Sequence, residues 1–309
     1  MHAGGQSGKS WTRYLILVGA GFLAVLVWHF GWRDILAAFA RVRPWPFVAM
    51  LGVLLAGFWI RAWKWRYVLG PGQNAVGLFF LAKTAGSFSP GRVGELAPLL
   101  LKRHRNSRVA AWILVDRVLE VVLTLAFGLA GVWALGLTPW NVAAGMTALA
   151  GVCGCAGLYL VYRVDLLKPL EARWPEGSRR QRSIALLASL HEEARELGVK
   201  APLILLITAL GKVLDVYVGV FLCVAFGYDV SFLLMCAARA AHALVSAIPV
   251  TPDATGVPFA AAAVLLHNVA GMPYEVLTAA LALEVLIINV TLWLSFLATS
   301  PGLIRHSSS

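Results

Sequence analysis

Three groups of residues set ionisable side chains inside otherwise apolar sequence. The first is the run Ser89-Pro90-Gly91-Arg92-Val93-Gly94-Glu95. Its proline and glycines break a helix and let backbone approach closely. The second is Asp116, Arg117 and Glu120, where the two acids fall one helical turn apart with the arginine beside them. The third is spread through the C-terminal half: Lys212 and Asp215 at i,i+3, Arg239 near His242, then Asp253, Glu284 and Asn289. The planar fork of arginine binds phosphate oxygens two at a time. Backbone N–H groups at the tip of a broken helix also favour an anion. The chemistry expected is therefore recognition of a phosphate head group, with Arg92 at its centre. Glu95 either pairs with Arg92 when the site is empty or carries a proton. For Asp116–Arg117–Glu120 and Lys212–Asp215, structural ion pairing within a bundle competes with a role in binding.

Other chemistries find little support. His29, His104, His191, His242 and His267 show no H-E-x-x-H spacing, and no Walker motif or Gly-x-Ser-x-Gly elbow occurs. Neither a metal nor a cofactor is expected. Cys153, Cys155, Cys223 and Cys236 lie in apolar segments and read as buried structural thiols.

The setting follows from composition. Of 309 residues, 60% are hydrophobic and 13% charged, where a soluble domain carries about 25% charge. The chain reads as a single polytopic all-α integral membrane domain over residues 1–309. Six segments are long enough to span: Tyr14–Gly31, Pro46–Trp65, Val109–Leu135, Val142–Tyr162, Ala201–Phe226 and Glu275–Ala298. The first lacks a cleavage site followed by a polar mature region and so reads as a retained span. Two further apolar segments are broken. Residues 76–101 are split at Pro90-Gly91, and residues 230–267 at Pro249, Pro252, Gly256 and Pro258.

Basic residues concentrate at 102–108 and 163–200, whereas the turns 136–141 and 227–229 hold no lysine or arginine. The positive-inside rule then places residues 1–13, both basic loops and the C-terminus in the cytoplasm, although Arg33, Arg41 and Arg43 fall outside. The 163–200 loop carries Ile184, Leu187, Leu190 and Leu197 at helical spacing, as an amphipathic interfacial helix would. With a net charge of +11, contact with anionic lipid is expected and nucleic acid is not.

On this topology the two broken segments become re-entrant hairpins entering from opposite faces. Ser89-Pro90 and Gly94 repeat as Thr251-Pro252 and Gly256 at the same spacing. That is the pattern of an inverted repeat with paired broken elements. Ten intramembrane ionisable groups follow: Arg92, Glu95, Asp116, Arg117, Glu120, Lys212, Asp215, Arg239, Asp253 and Glu284. Each costs about 2.5–3.5 kcal/mol at the centre of a lipid-facing helix, so they must pair or line a hydrated cavity.

The stretches Arg61-Ala62-Trp63-Lys64-Trp65-Arg66, Gly86 to Glu95 and Asp116-Arg117-Val118-Leu119-Glu120 resemble the flippase-like family, also called the lysylphosphatidylglycerol synthase transmembrane region. The resemblance covers about residues 14–300. It implies a bacterial or archaeal inner-membrane protein linked to moving lipids between leaflets. It also implies site roles for Pro90, Gly91, Arg92, Gly94, Glu95 and Arg117. Some relatives carry a cytosolic aminoacyl-transferase domain; this chain reads as a stand-alone membrane region, so synthase activity is not carried over. The second break departs from the family pattern, with Asp253 and Ala254 in place of a glycine pair.

The expected function is a flippase or scramblase, not an enzyme, that passes a phosphate-bearing lipid through a polar cavity between the two hairpins. The alternatives are an intramembrane lipid-modifying enzyme and a non-catalytic partner of a lipid-synthesis enzyme. Ser89, Gly91 and Gly94, together with the ionisable groups already named, are the candidate binding residues.

Overall fold

The computed structural model describes residues 40–70, 74–87, 93–101, 107–137, 200–246 and 257–299, together with Arg33, Ala37, Ser89, Glu192 and Glu193. The regular structure among the described residues is all helical, with no strand among them. Helix α1 (Pro44–Leu69) is followed by α2 (Ala75–Ser87), a 3-10 helix (Val93–Leu100) and α3 (Ser107–Ala134). Helices α4 (Ala201–Ala225), α5 (Phe232–Ser246), α6 (Val257–Ala270) and α7 (Tyr274–Thr299) complete the described chain. The expected spans Tyr14–Gly31 and Val142–Tyr162, and nearly all of the 163–200 loop, lie outside the described residues.

Local sequence explains the boundaries. Proline opens both α1 and α4, where its missing N–H loses no helical bond. Asn74 caps α2 by accepting from the Gly77 N–H at 3.2 Å, and its amide donates to the Thr299 carbonyl at the end of α7. Ser231 caps α5 through the Leu234 N–H. The second arm of the first break is a 3-10 helix with Pro98 inside it. Proline lacks the N–H an α-helix needs and clashes with the preceding turn.

Helices α1, α4 and α7 are long and apolar enough to cross a membrane by length and composition. Large apolar side chains also face outward, among them Trp45, Trp59, Leu206 and Leu294. A surface of that kind suits lipid tails rather than water.

The two halves repeat one plan: a long helix, a broken pair, a long helix. Their contacts follow the plan too. Helix α1 packs on its counterpart α4. Helix α2 packs on the 3-10 helix and on α7; correspondingly, α5 packs on α6 and on α3. The α3–α5 contact is close because α3 presents glycine. A Cβ at Gly128 would overlap Ala240, and one at Gly131 the Leu233 carbonyl, so small residues let the backbones approach.

One core centres on Trp65, Phe79, Phe80 and Trp112, which are buried and meet edge-to-face, and takes in Leu222 of α4 and Phe296 of α7. A second core, around Leu234, Met235, Leu266 and Leu277, fills the other end.

Candidate functional site

Between the halves lies a cavity of about 300 Å³, at the lower end of the usual range for small-molecule sites. Every described α-helix except α6 contributes to its wall. Arg61 comes from α1, Lys83 from α2, Arg117 and Glu120 from α3, Lys212 and Asp215 from α4, Arg239 from α5 and Glu284 from α7. Among the described lining residues, five cations thus face three carboxylates, an excess of two positive charges.

The charges form three groups. In the first half, Lys83 lies 3.0 Å from Glu120 and 3.5 Å from Glu95. Arg117 stands 3.9 Å from both carboxylates. In the second half, Arg239 pairs with Glu284. Between the halves, Arg61 pairs with Asp215 and also donates to the Gly211 carbonyl at 2.8 Å. Lys212 reaches Asp215 at 3.6 Å.

Three buried atoms on the wall have no hydrogen-bond partner among the described residues: Glu120 Oε1, Arg239 Nε and Asn289 Oδ1. Such atoms carry a desolvation penalty of about 1–3 kcal/mol. The network is therefore not at its best-satisfied arrangement.

The first break delivers Glu95 to this network. Ser89 Oγ accepts from the Gly94 N–H at 2.6 Å and donates to the Gly86 carbonyl at 3.2 Å. A Cβ at Gly94 would overlap the Ala85 carbonyl, so this glycine lets the two arms touch. The 3-10 helix thus packs on α2, and Glu95 lies over Gly86 towards Lys83.

Asp116 has a different position from the one its spacing suggests. It does not line the cavity. Its carboxylate pairs with Lys64 and accepts from Trp65 Nε1 at 2.9 Å. Lys64 also donates to Thr208 at 3.0 Å and lies over the Trp112 ring. The Lys64 side chain is 0% exposed and that of Asp116 3%. This is a closed pair between α1, α3 and α4 with its hydrogen bonds filled, one turn away from the open network at Glu120. Arg92, Gly91 and Asp253 lie outside the described residues.

Three cations are missing from the candidate site residues read from the sequence. Arg61 and Lys64 sit near the end of α1, where basic residues usually meet water. Lys83 stands alone in an apolar run. The missing signal was charge balance: six intramembrane acids against four cations leave carboxylates unmatched, and Arg61, Lys64 and Lys83 are the residues that match Asp215, Asp116 and Glu120.

Compared with known proteins, residues 13–298 match the family model described as the lysylphosphatidylglycerol synthase TM region. No curated protein and no solved structure matches the chain. The chain belongs to the lysylphosphatidylglycerol synthase TM region family, a family of membrane domains tied to lipid biology.

Proposed function

We propose that this family member moves a phosphate-bearing lipid between the leaflets of the inner membrane, with both termini cytoplasmic. The head group passes through the charged cavity while the tails remain in lipid. The observation that carries this reading is the cavity itself: an excess of two positive charges among its described lining residues, enclosed by helices whose outer faces suit lipid tails. A phosphate brings the negative charge that the wall lacks, and buried arginine and lysine are its natural partners.

The architecture we infer is six spans and two re-entrant hairpins in an inverted repeat. The matched contacts of the two halves support it. So does the placing of charge: each half sets a cation on the first arm of its broken pair and a carboxylate on the following long helix. These are Lys83 with Glu120, and Arg239 with Glu284. Alternating access would then come from rocking one half against the other about the α1–α4 contact. Arg92 and Gly91 at the first tip, and Asp253 at the second, would meet the head group on its way in or out. The lipid leaves chemically unchanged, which sets a transporter apart from an enzyme.

The test is reconstitution into vesicles holding fluorescent phosphate-bearing lipids, with outer-leaflet probes quenched chemically. Wild-type protein should bring inner-leaflet probe to the quencher faster than empty vesicles do. Lys83→Met should slow that exchange at least about tenfold, as expected for loss of a charge-assisted contact. Equal rates in protein-containing and empty vesicles, across several head groups, would defeat the proposal.

A further inference from the structure

We infer that Arg239 is a second phosphate subsite, held shut by Glu284, and that this ion pair is the door between two cavities. The inference rests on the transporter reading and adds a site and a step to it.

Behind the main cavity lies a smaller one of about 30 Å³, room for one or two waters. Cys223, Met235, Leu266 and Leu277 give it an apolar wall. Its polar wall, among the described residues, is Arg239, His242 and Glu284, and the same three residues line the main cavity. The Arg239–Glu284 pair therefore forms part of the partition between the two spaces. Separating the two side chains would join a charged chamber to a pocket among α4, α5, α6 and α7.

Arg239 is poorly matched by its present partner. Its Nη2 reaches Glu284 Oε1, while Nε is buried with no hydrogen-bond partner among the described residues. One edge of the guanidinium is thus half used. A phosphate offers two oxygens at the spacing of Nε and Nη2 and would fill both donors. The arginine is also within reach of such a ligand, since its side chain is 26% exposed whereas that of Glu284 is 6% exposed. Lys212 lines the same chamber and adds a second cation. Bare backbone on α4 makes space for the guanidinium: a Cβ at Gly219 would lie 3.1 Å from Nη2 and closer still to Met235.

The step then reads as an exchange of partners. The lipid phosphate takes the Nε–Nη2 edge, Glu284 is released, and the partition opens. In the first half, Lys83 holds the corresponding place, with Glu120 and Glu95 occupying it when no ligand is bound. The head group would pass from one cation to the other.

Cys223 reports on the door, because it is buried and lines only the smaller of the two cavities described. The full chain would carry Cys223 as its single cysteine, with Cys153, Cys155 and Cys236 replaced by alanine. Its modification by a small charged methanethiosulfonate is timed in vesicles of digalactosyl diacylglycerol, a bilayer lipid that carries no phosphate. Glu284→Gln should speed modification about tenfold. In the otherwise unchanged single-cysteine protein, adding phosphatidylglycerol should also speed it, and in Glu284→Gln that lipid should add little. The charge-swapped pair Arg239→Glu with Glu284→Arg should restore slow modification. Should Glu284→Gln fail to fold, Arg239→Lys keeps the charge, removes Nε, and should abolish the response to phosphatidylglycerol.

Unchanged modification in a folded Glu284→Gln protein would overturn the door. Transport measured in the same vesicles separates the two claims. If lipid crosses while Cys223 ignores Glu284→Gln, the door fails and the transporter stands. If Cys223 responds to phosphatidylglycerol while no lipid crosses, the subsite stands and the transporter fails.

Discussion

Asp116 and Glu120 stand one turn apart on α3, and each faces a lysine, yet the two pairs occupy different surroundings. Lys64 and Asp116 are sealed among Trp65, Trp112 and Thr208, with their hydrogen bonds filled. Lys83 and Glu120 face a cavity, share Glu95 and Arg117, and leave Glu120 Oε1 unfilled. The same pair of functional groups can therefore lock helices together or stay available to a ligand. What decides is whether the remaining donors and acceptors are met by protein. A closed pair has nothing left to offer a phosphate, and an open one does.

This contrast predicts opposite sensitivities. The largest effect on stability should come from Asp116→Ala. It strands the Lys64 charge in a dry site, a loss of about 3–5 kcal/mol. Thermal unfolding in detergent should show it as a steep fall in melting temperature or in yield of folded protein. Glu120→Gln should cost much less stability, because Lys83 keeps Glu95, while transport drops by about tenfold or more. Should the two variants lose stability equally, the division into closed and open pairs would not hold.

A sharper version replaces each pair whole. Exchanging Lys64 and Asp116 together for Met and Leu removes both charges, and buried pairs so replaced are often neutral or stabilised by about 1–4 kcal/mol. Trp65 Nε1 would lose its acceptor, so the expected net change is small. Transport should persist. Exchanging Lys83 and Glu120 in the same way should leave a folded protein that does not move lipid.

The mildest contrast lies in two threonines. Thr208 and Thr124 both donate to the carbonyl four residues earlier, at 2.7 Å. Only Thr208 also accepts from Lys64. Thr208→Val should therefore cost about 1 kcal/mol of stability, measured by thermal unfolding, and Thr124→Val noticeably less. Equal losses would mean that the Thr208–Lys64 bond contributes nothing.

Much of this fold was legible in sequence. Apolar runs gave helices near Pro46–Trp65, Val109–Leu135, Ala201–Phe226 and Glu275–Ala298, and each lies within a few residues of α1, α3, α4 and α7. Pro90-Gly91 and the prolines at 249 and 252 fall between the end of one described helix and the start of the next, α2 before the 3-10 helix and α5 before α6, because their backbone demands are local. Partners were not legible. A helix apolar on every side has no polar face to reveal which neighbour it meets. Spacing on α3 grouped Asp116 with Glu120, but the lysines that divide them come from α1 and α2 and arrive only through packing. Lys64 was hidden for the same reason: its partners Asp116 and Trp112 come from α3 and Thr208 from α4, far away in sequence. The pairing of Arg61 with Asp215 depends on the α1–α4 contact, across about 150 residues of chain.

The most direct test of the central claim places two double variants side by side in vesicles, with phosphatidylglycerol probes read by quenching. In one, Lys83 and Glu120 become Met and Leu; in the other, Lys64 and Asp116 do. The account predicts transport near wild type from the second and at least about tenfold slower from the first. Wild-type transport from a folded Lys83/Glu120 variant would contradict it.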